Sequence, residues 1–260
     1  HYDELSKANP TPKGIYKGKK EKFYADKATL DSEADVRLGI IKEIHDRLQG
    51  PDKNTPGVWS DFEYDFSGST FFYLVDLTEC YYKKSVNFSG STFQMGAWFD
   101  RSVYQGRANF GCNVYQSGAN FRGSTYQRET YFGGSVYQSW AYFGGSVYQD
   151  WVNFGGSVYQ GLAEFQDSTY KGWANFGEST YKAETKFNDS FYESSVDFSN
   201  STYYDRVEFH GDGLGSGHKG VIYRGAVNFS HSVYLDTPIF GSSTYKSEAI
   251  FSNSIYSEPV

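Results

Sequence analysis

The chain has one methionine, two cysteines and six prolines in 260 residues. Two cysteines cannot build a disulfide framework. Long apolar runs are missing too, and with a mean hydropathy of −0.61 no stretch reads as a membrane span. No basic segment followed by an apolar one opens the chain, so no signal peptide is read. Yet the chain begins at His1 rather than Met, which leans toward a processed, exported or organelle-lumen protein, a trimmed chain being the plainer alternative. Basic residues are in deficit: 24 Lys and Arg stand against 31 Asp and Glu, a formal net charge of −7. Residues 1–27 run the other way, with seven Lys against four acids, leaving 17 basic against 27 acidic residues in the remainder. An acidic body of this kind does not predict direct nucleic-acid binding. The lysine-rich arm could meet an anionic surface, although such runs more often form a solvated tail. What the chain has in excess is 24 Tyr, 22 Phe and 28 Gly, a bias toward strands and turns.

These aromatics are periodic. Phe recurs at 88, 99, 110, 121, 132, 143, 154, 165, 176, 187, 198 and 209, and Tyr at 104, 115, 126, 137, 148, 159, 170, 181, 192 and 203. Five residues separate Phe from Tyr and six separate Tyr from the next Phe, so the period is eleven. The pattern reaches back to Phe66 and forward to Tyr256, about seventeen units. Ala141-Tyr142-Phe143-Gly144-Gly145-Ser146-Val147-Tyr148-Gln149 represents the unit. Alternation puts Ala and Phe on one face of a short strand, and Ser and Tyr on one face of the next. The residue between Ala and Phe varies freely (Asn153, Glu164, Asn175, Lys186), which suits solvent, so Phe, Tyr, Ala and Ser are expected inside and Val or Thr outside. A helix of period eleven is excluded by the Gly pairs and β-branched residues in the units. One unit per coil would leave too little room for two large rings, so two units, about 22 residues, are expected to close a four-sided coil. At about 4.8 Å per coil the rod is roughly 40 Å long.

Small-x-Phe/Leu-x-x is the signature of pentapeptide-repeat proteins. Segments such as Asp65-Phe66-Ser67-Gly68-Ser69-Thr70-Phe71 and Asn87-Phe88-Ser89-Gly90-Ser91-Thr92-Phe93 resemble the branch of that family with alternating five- and six-residue steps. The resemblance covers about three-quarters of the chain and implies an all-β fold, a right-handed quadrilateral β-helix. The departures are the near-uniform Tyr at every second centre and the extra residue per unit. Any buried Tyr hydroxyl needs a partner, and the Ser two residues upstream, or its counterpart one coil on, is the expected one.

Residues 1–60 read as a basic arm followed by a capping helix, and 61–260 as the solenoid. The arm, 1–27, is expected to be extended or loose around Pro10, Pro12 and Gly14. Ser32-Glu33-Ala34-Asp35 resembles a helix N-terminal box; Ala34, Leu38, Ile41, Ile44 and Leu48 follow at helical spacing, and Gly50-Pro51 ends the run. That stripe is expected to cap the first coil, with partner binding as the alternative. The repeat breaks once: Phe209 should lead to an aromatic at 214, but Tyr223 comes instead, so nine residues are inserted and a loop is expected at 210–220.

Little in the chain reads as chemistry. Cys80 takes an inward Ser slot and Cys112 a corner slot three units later, so both are expected to be free thiols. The glycine-rich insert fails the phosphate-loop and dinucleotide templates. His210, Asp212, His218 and His231 could gather around zinc, but a surface loop is the preferred reading. No nucleophile–base grouping or inward acid pair emerges from the register, so neither an enzyme nor a cofactor is expected. Asn87, Asn188, Asn200 and Asn228 lie in Asn-x-Ser/Thr sequons that the repeat generates by itself.

Outward aromatics are the candidate partner surface. Trp140, Trp151, Leu162 and Trp173 share one linker slot in four successive units, so Trp151 and Trp173 fall on one side of the rod and Trp140 and Leu162 on the opposite side. Tyr131 and Tyr142 lie nearby. Such residues either pack over neighbouring coils or mark a contact surface. The expected function is therefore a non-catalytic scaffold that contacts other proteins, through the Trp ladder and the C-terminal coil, as a hetero-assembly, filament subunit or homo-oligomer. The resemblance offers a second reading, since some pentapeptide-repeat proteins are acidic, dimeric mimics of duplex DNA that bind type II topoisomerases. The many Gly, Ser, Asn and Gln in outward slots weigh against it.

Overall fold

The computed structural model describes Leu5 and residues 12–211 and 220–257. From Tyr64 onward the chain winds as a right-handed quadrilateral solenoid of two-residue strands in four parallel sheets. Sheet I starts at Tyr64–Asp65, sheet II at Thr70–Phe71, sheet III at Val75–Asp76 and sheet IV at Tyr81–Tyr82; they hold nine, nine, seven and eight strands. Each strand pairs with the one two repeat units on, as in Tyr115 with Tyr137 and Ala141 with Ala163. Two eleven-residue units thus make one coil, as the size of the rings requires.

The facing follows the alternation. Phe154, Phe176, Ala163 and Tyr148 are buried, whereas Glu164 and Lys186 point outward. Inside, four columns of rings run along the axis. Phe121, Phe143, Phe165 and Phe187 stack at 5.0–5.2 Å, nearly parallel. Tyr126, Tyr148, Tyr170 and Tyr192 stack at 4.7–5.0 Å. Neighbouring columns meet edge-on, as Tyr148 does Phe154 at 5.7 Å and 86°. Stacks alternating with edge contacts suit the ring quadrupoles.

The corner two residues after most of the repeat Phe takes a left-handed conformation: Gly134, Gly145 and Gly156 have φ of 68–69°, while Cys112, Asp167 and Glu178 adopt 58° without being glycine. One such residue per unit turns the chain between faces.

The inward Ser residues bond along the backbone instead of to Tyr. Ser124 N–H donates to Ser146 Oγ at 3.2 Å, and Ser146 Oγ–H donates to the Phe121 carbonyl at 3.3 Å. Each Ser ties adjacent coils; with its proton spent on a carbonyl it stands beside the phenol two residues on without closing a full hydrogen bond to it. The cause is reach: the short Ser arm stays at the coil wall, close to carbonyls, while the phenol extends inward. Tyr126, Tyr137, Tyr148, Tyr192 and Tyr203 consequently keep hydroxyls without a hydrogen-bond partner. Tyr181 reaches the Phe176 carbonyl at 3.1 Å, and Tyr115 accepts from Asn113, which stands in a Ser slot.

The N-terminal helix runs from Lys20 to Leu48, far longer than the run starting at Ala34. No side chain caps its start, and Ser32 lies inside it. Residues 20–27 are therefore helical rather than loose. Two causes are visible: Lys22–Asp26 and Lys27–Asp31 pairs at i, i+4, and a small cluster of Leu5, Tyr16 and Phe23 that anchors the first turns. Ile41, Ile44 and Leu48 join the solenoid core, with Ala34 against it, so this stripe does cap the first coils; Leu38 stays 38% exposed. His45 and Gln49 bond the Thr78 carbonyl, fastening the helix end to the rod.

The insertion leaves the register intact. Thr185 pairs with Val207, one regular coil on, but Phe191 pairs with Ile222 and Val196 with Val227, each reached only after the inserted stretch is added. From Ile222 to Thr244 the step is regular again. The strands on either side of the insertion thus keep their columns, and of the loop expected at 210–220, residues 212–219, Asp212 and His218 among them, lie outside the described residues.

Candidate interaction surfaces

Each outward aromatic is placed by its slot in the coil. The linker residue precedes the small inward residue of the next strand, and its carbonyl accepts from the coil before: Ala119 N–H donates to Trp140, Val152 N–H to Trp173. Only the side chain is free to leave the wall. On sheet III, Trp140 stacks on Tyr142 at 4.5 Å and 24°, with the Arg122 guanidinium 5.3 Å from the Tyr142 ring. Trp140 also folds back over Gly118, where a Cβ would come within 2.1 Å of its ring. On sheet I, Trp151 meets Tyr131 at 4.6 Å and 80°, with Arg107 at 6.0 Å.

The expected Trp ladder is therefore corrected. The continuous aromatic ladder is the interior one of Tyr and Phe, and Trp151 contacts Tyr131. Linker residues one coil apart are close in backbone, but a bulky indole tilts onto whichever ring flanks it. Trp151 and Trp173 do share one side, and Trp140 and Leu162 the other, as the register requires. Trp173 is 42% exposed, and Trp98, missed at the sequence level, adds exposed area to the Trp140 face. Its signal was the slot that it shares with Tyr142, the outward position between the small residue and Phe.

Several charges along the rod are tied in pairs across coils. Arg101 meets Glu79 at 3.0 Å, Arg107 meets Glu129 at 2.9 Å, and Arg122 meets Glu164 at 3.5 Å. Arg206 bonds the buried Glu208 at 2.6 Å, and Asn188 donates to the same carboxylate at 2.7 Å. His210 approaches Glu208 at 3.6 Å, while His231 bonds Ser230 and Asn253. Of the candidate zinc ligands only His210 and His231 are among the described residues, and among those residues no group of three His, Cys, Asp or Glu is placed to share a metal ion. Cys80 is buried, which pushes its thiol well up, and Cys112 is exposed; both are free. No described helix is long and apolar enough to cross a membrane.

No protein-family model, curated protein or solved structure matches this chain. The likeness to pentapeptide-repeat proteins is thus one of architecture, four faces and coils of two units each. The fold and the surfaces carry the functional argument alone.

Proposed function

We propose that this protein is a non-catalytic scaffold whose outward aromatics engage other proteins. One observation carries the reading: an Arg–Tyr–Trp group on each of two opposite faces, Arg122–Tyr142–Trp140 and Arg107–Tyr131–Trp151, in successive units of one rigid rod. Trp, Tyr and Arg dominate the energetics of protein interfaces: the two aromatics bury large area with few rotors lost, and Arg adds a planar set of donors. Leu162 and Trp173 extend the two patches by one coil. The DNA-mimic alternative finds less support, since the acids above are neutralised by Arg rather than arrayed.

The test is affinity purification from the native source under crosslinking, with Trp140→Ser/Tyr142→Asn as comparison. Asn suits position 142, because Asn120 occupies its register partner. A defined protein recovered with the wild type and lost from the variant supports the reading. Identical recovery from both refutes it.

A further inference from the structure

Sheet I carries a second feature, a groove of about 580 Å³ along the axis over four coils. Its lining comes in register: Ser89 and Gly90, then Asn109, Gly111 and Cys112, then Tyr131, Gly133 and Gly134, then Asn153 and Gly155. Tyr131 is the direct strand partner of Asn109 on one side and Asn153 on the other, so one ring stands between two carboxamides. At Gly133 the floor leaves no room for a side chain, since a Cβ there would lie 2.6 Å from the Gly155 carbonyl. Among the described residues no charged side chain lines it.

The amides are oriented. Asn109 Oδ1 accepts from Gly111 N–H at 3.1 Å, and Asn153 Oδ1 accepts from Gly155 N–H at 2.8 Å and from Asn175 at 3.2 Å. A backbone N–H can only donate, so the oxygen must face it and both NH₂ groups are left over as donors. Neither finds an acceptor among the described residues, whereas Asn87 and Asn175 spend theirs on Asp65 and Asn153. Trp151 packs on Tyr131 and holds that ring in place.

We propose that this groove binds a neutral, linear oligosaccharide lying along the solenoid axis. The Tyr131 ring offers an apolar wall to the C–H face of a sugar, and the flanking donors match its hydroxyl and acetal oxygens. No charged side chain lines the groove, and Arg107, 6.0 Å from the Tyr131 ring, is paired with Glu129, so an anionic or cationic ligand would lose its hydration without gaining a free counter-charge. An open-ended trough suits a chain rather than a compact molecule. Its polar positions recur every coil, about 4.8 Å, similar to the advance per sugar of an extended glycan, so Asn109 and Asn153 would meet residues two apart. This ligand goes beyond the protein-scaffold reading and does not depend on it.

The experiment is isothermal titration of the whole chain with cellohexaose, xylohexaose and chitohexaose, and with a hexagalacturonate as the charged control. The variants keep the fold by using residues the column already holds. Asn109→Asp and Asn153→Asp retain the oxygen that accepts the Gly N–H, as Asp65 and Asp197 do at equivalent positions with Ser67 and Ser199. Tyr131→Asn restores the residue type of its two partners. At least one neutral hexasaccharide should bind, about tenfold more weakly to each variant, the loss expected for one polar or ring contact. Trp140→Ser, on the opposite face, should bind like the wild type. The proposal is overturned by no binding of the three neutral sugars at millimolar concentration, by unchanged affinity in the groove variants, or by binding of the charged sugar alone.

Discussion

Raising the pH should unfold this protein abruptly, because its core is built from phenols. Thirteen column tyrosines, Tyr82, 104, 115, 126, 137, 148, 159, 170, 181, 192, 203, 223 and 234, are buried. Burial is the first cause that pushes each one upward, several well above the usual phenol range, and nearby Ser hydroxyls offset it only in part. A raised folded-state value makes the sign unambiguous. Stability is fully present below the unfolded value of about 10 and is lost as pH rises toward the folded one, because the unfolded chain sheds protons that the folded chain retains. Each buried phenol then costs under about 1 kcal/mol at pH 10 and between about 1 and 2 kcal/mol at pH 11. Thirteen together remove roughly 5 and 18 kcal/mol, against a typical domain stability of about 5–15 kcal/mol. The midpoint should therefore fall between about pH 10 and 11. Tyrosinate absorbance and far-ultraviolet circular dichroism, followed together, check this. The buried phenols should ionise in one step that coincides with loss of β signal. Retention of the β signal beyond about pH 12 with the column tyrosines ionised would refute the account.

Two further outcomes follow from the register. Phe154→Ala, in a stack between Phe132 at 5.0 Å and Phe176 at 4.9 Å, should cost about 3–5 kcal/mol in a denaturant melt, whereas Glu164→Ala should cost about 1 kcal/mol or less, losing only its pair with the half-exposed Arg122; equal small losses would overturn the facing. Deleting residues 212–220 joins Gly211, in the corner slot, to Val221, in the Ser slot, and restores the eleven-residue spacing, so thermal stability should stay level or rise; a marked fall would show that the insert supports the coil.

Much of the architecture was legible because the repeat is strict. The sustained eleven-residue spacing of Phe and Tyr determined the facing and the two-unit coil, since any slip would turn a ring out to solvent. The stripe of Ile41, Ile44 and Leu48 likewise announced the cap, because only an end of the rod could bury it. The helix start at Lys20 was less legible: its first turns depend on contacts with Leu5 and Tyr16, which local propensity does not contain. Three matters were decided only by the tertiary structure. Ser hydroxyls chose carbonyls over phenols because coil closure set the distances. Trp151 turned to Tyr131, and Trp140 to Tyr142, because side-chain packing, not slot periodicity, selects a rotamer. The donor-lined groove exists because Asn109, Tyr131 and Asn153, each a full coil apart in sequence, become neighbours once the coil closes. Periodicity specifies which residues share a column; the three-dimensional wall specifies which of their atoms are left without a partner.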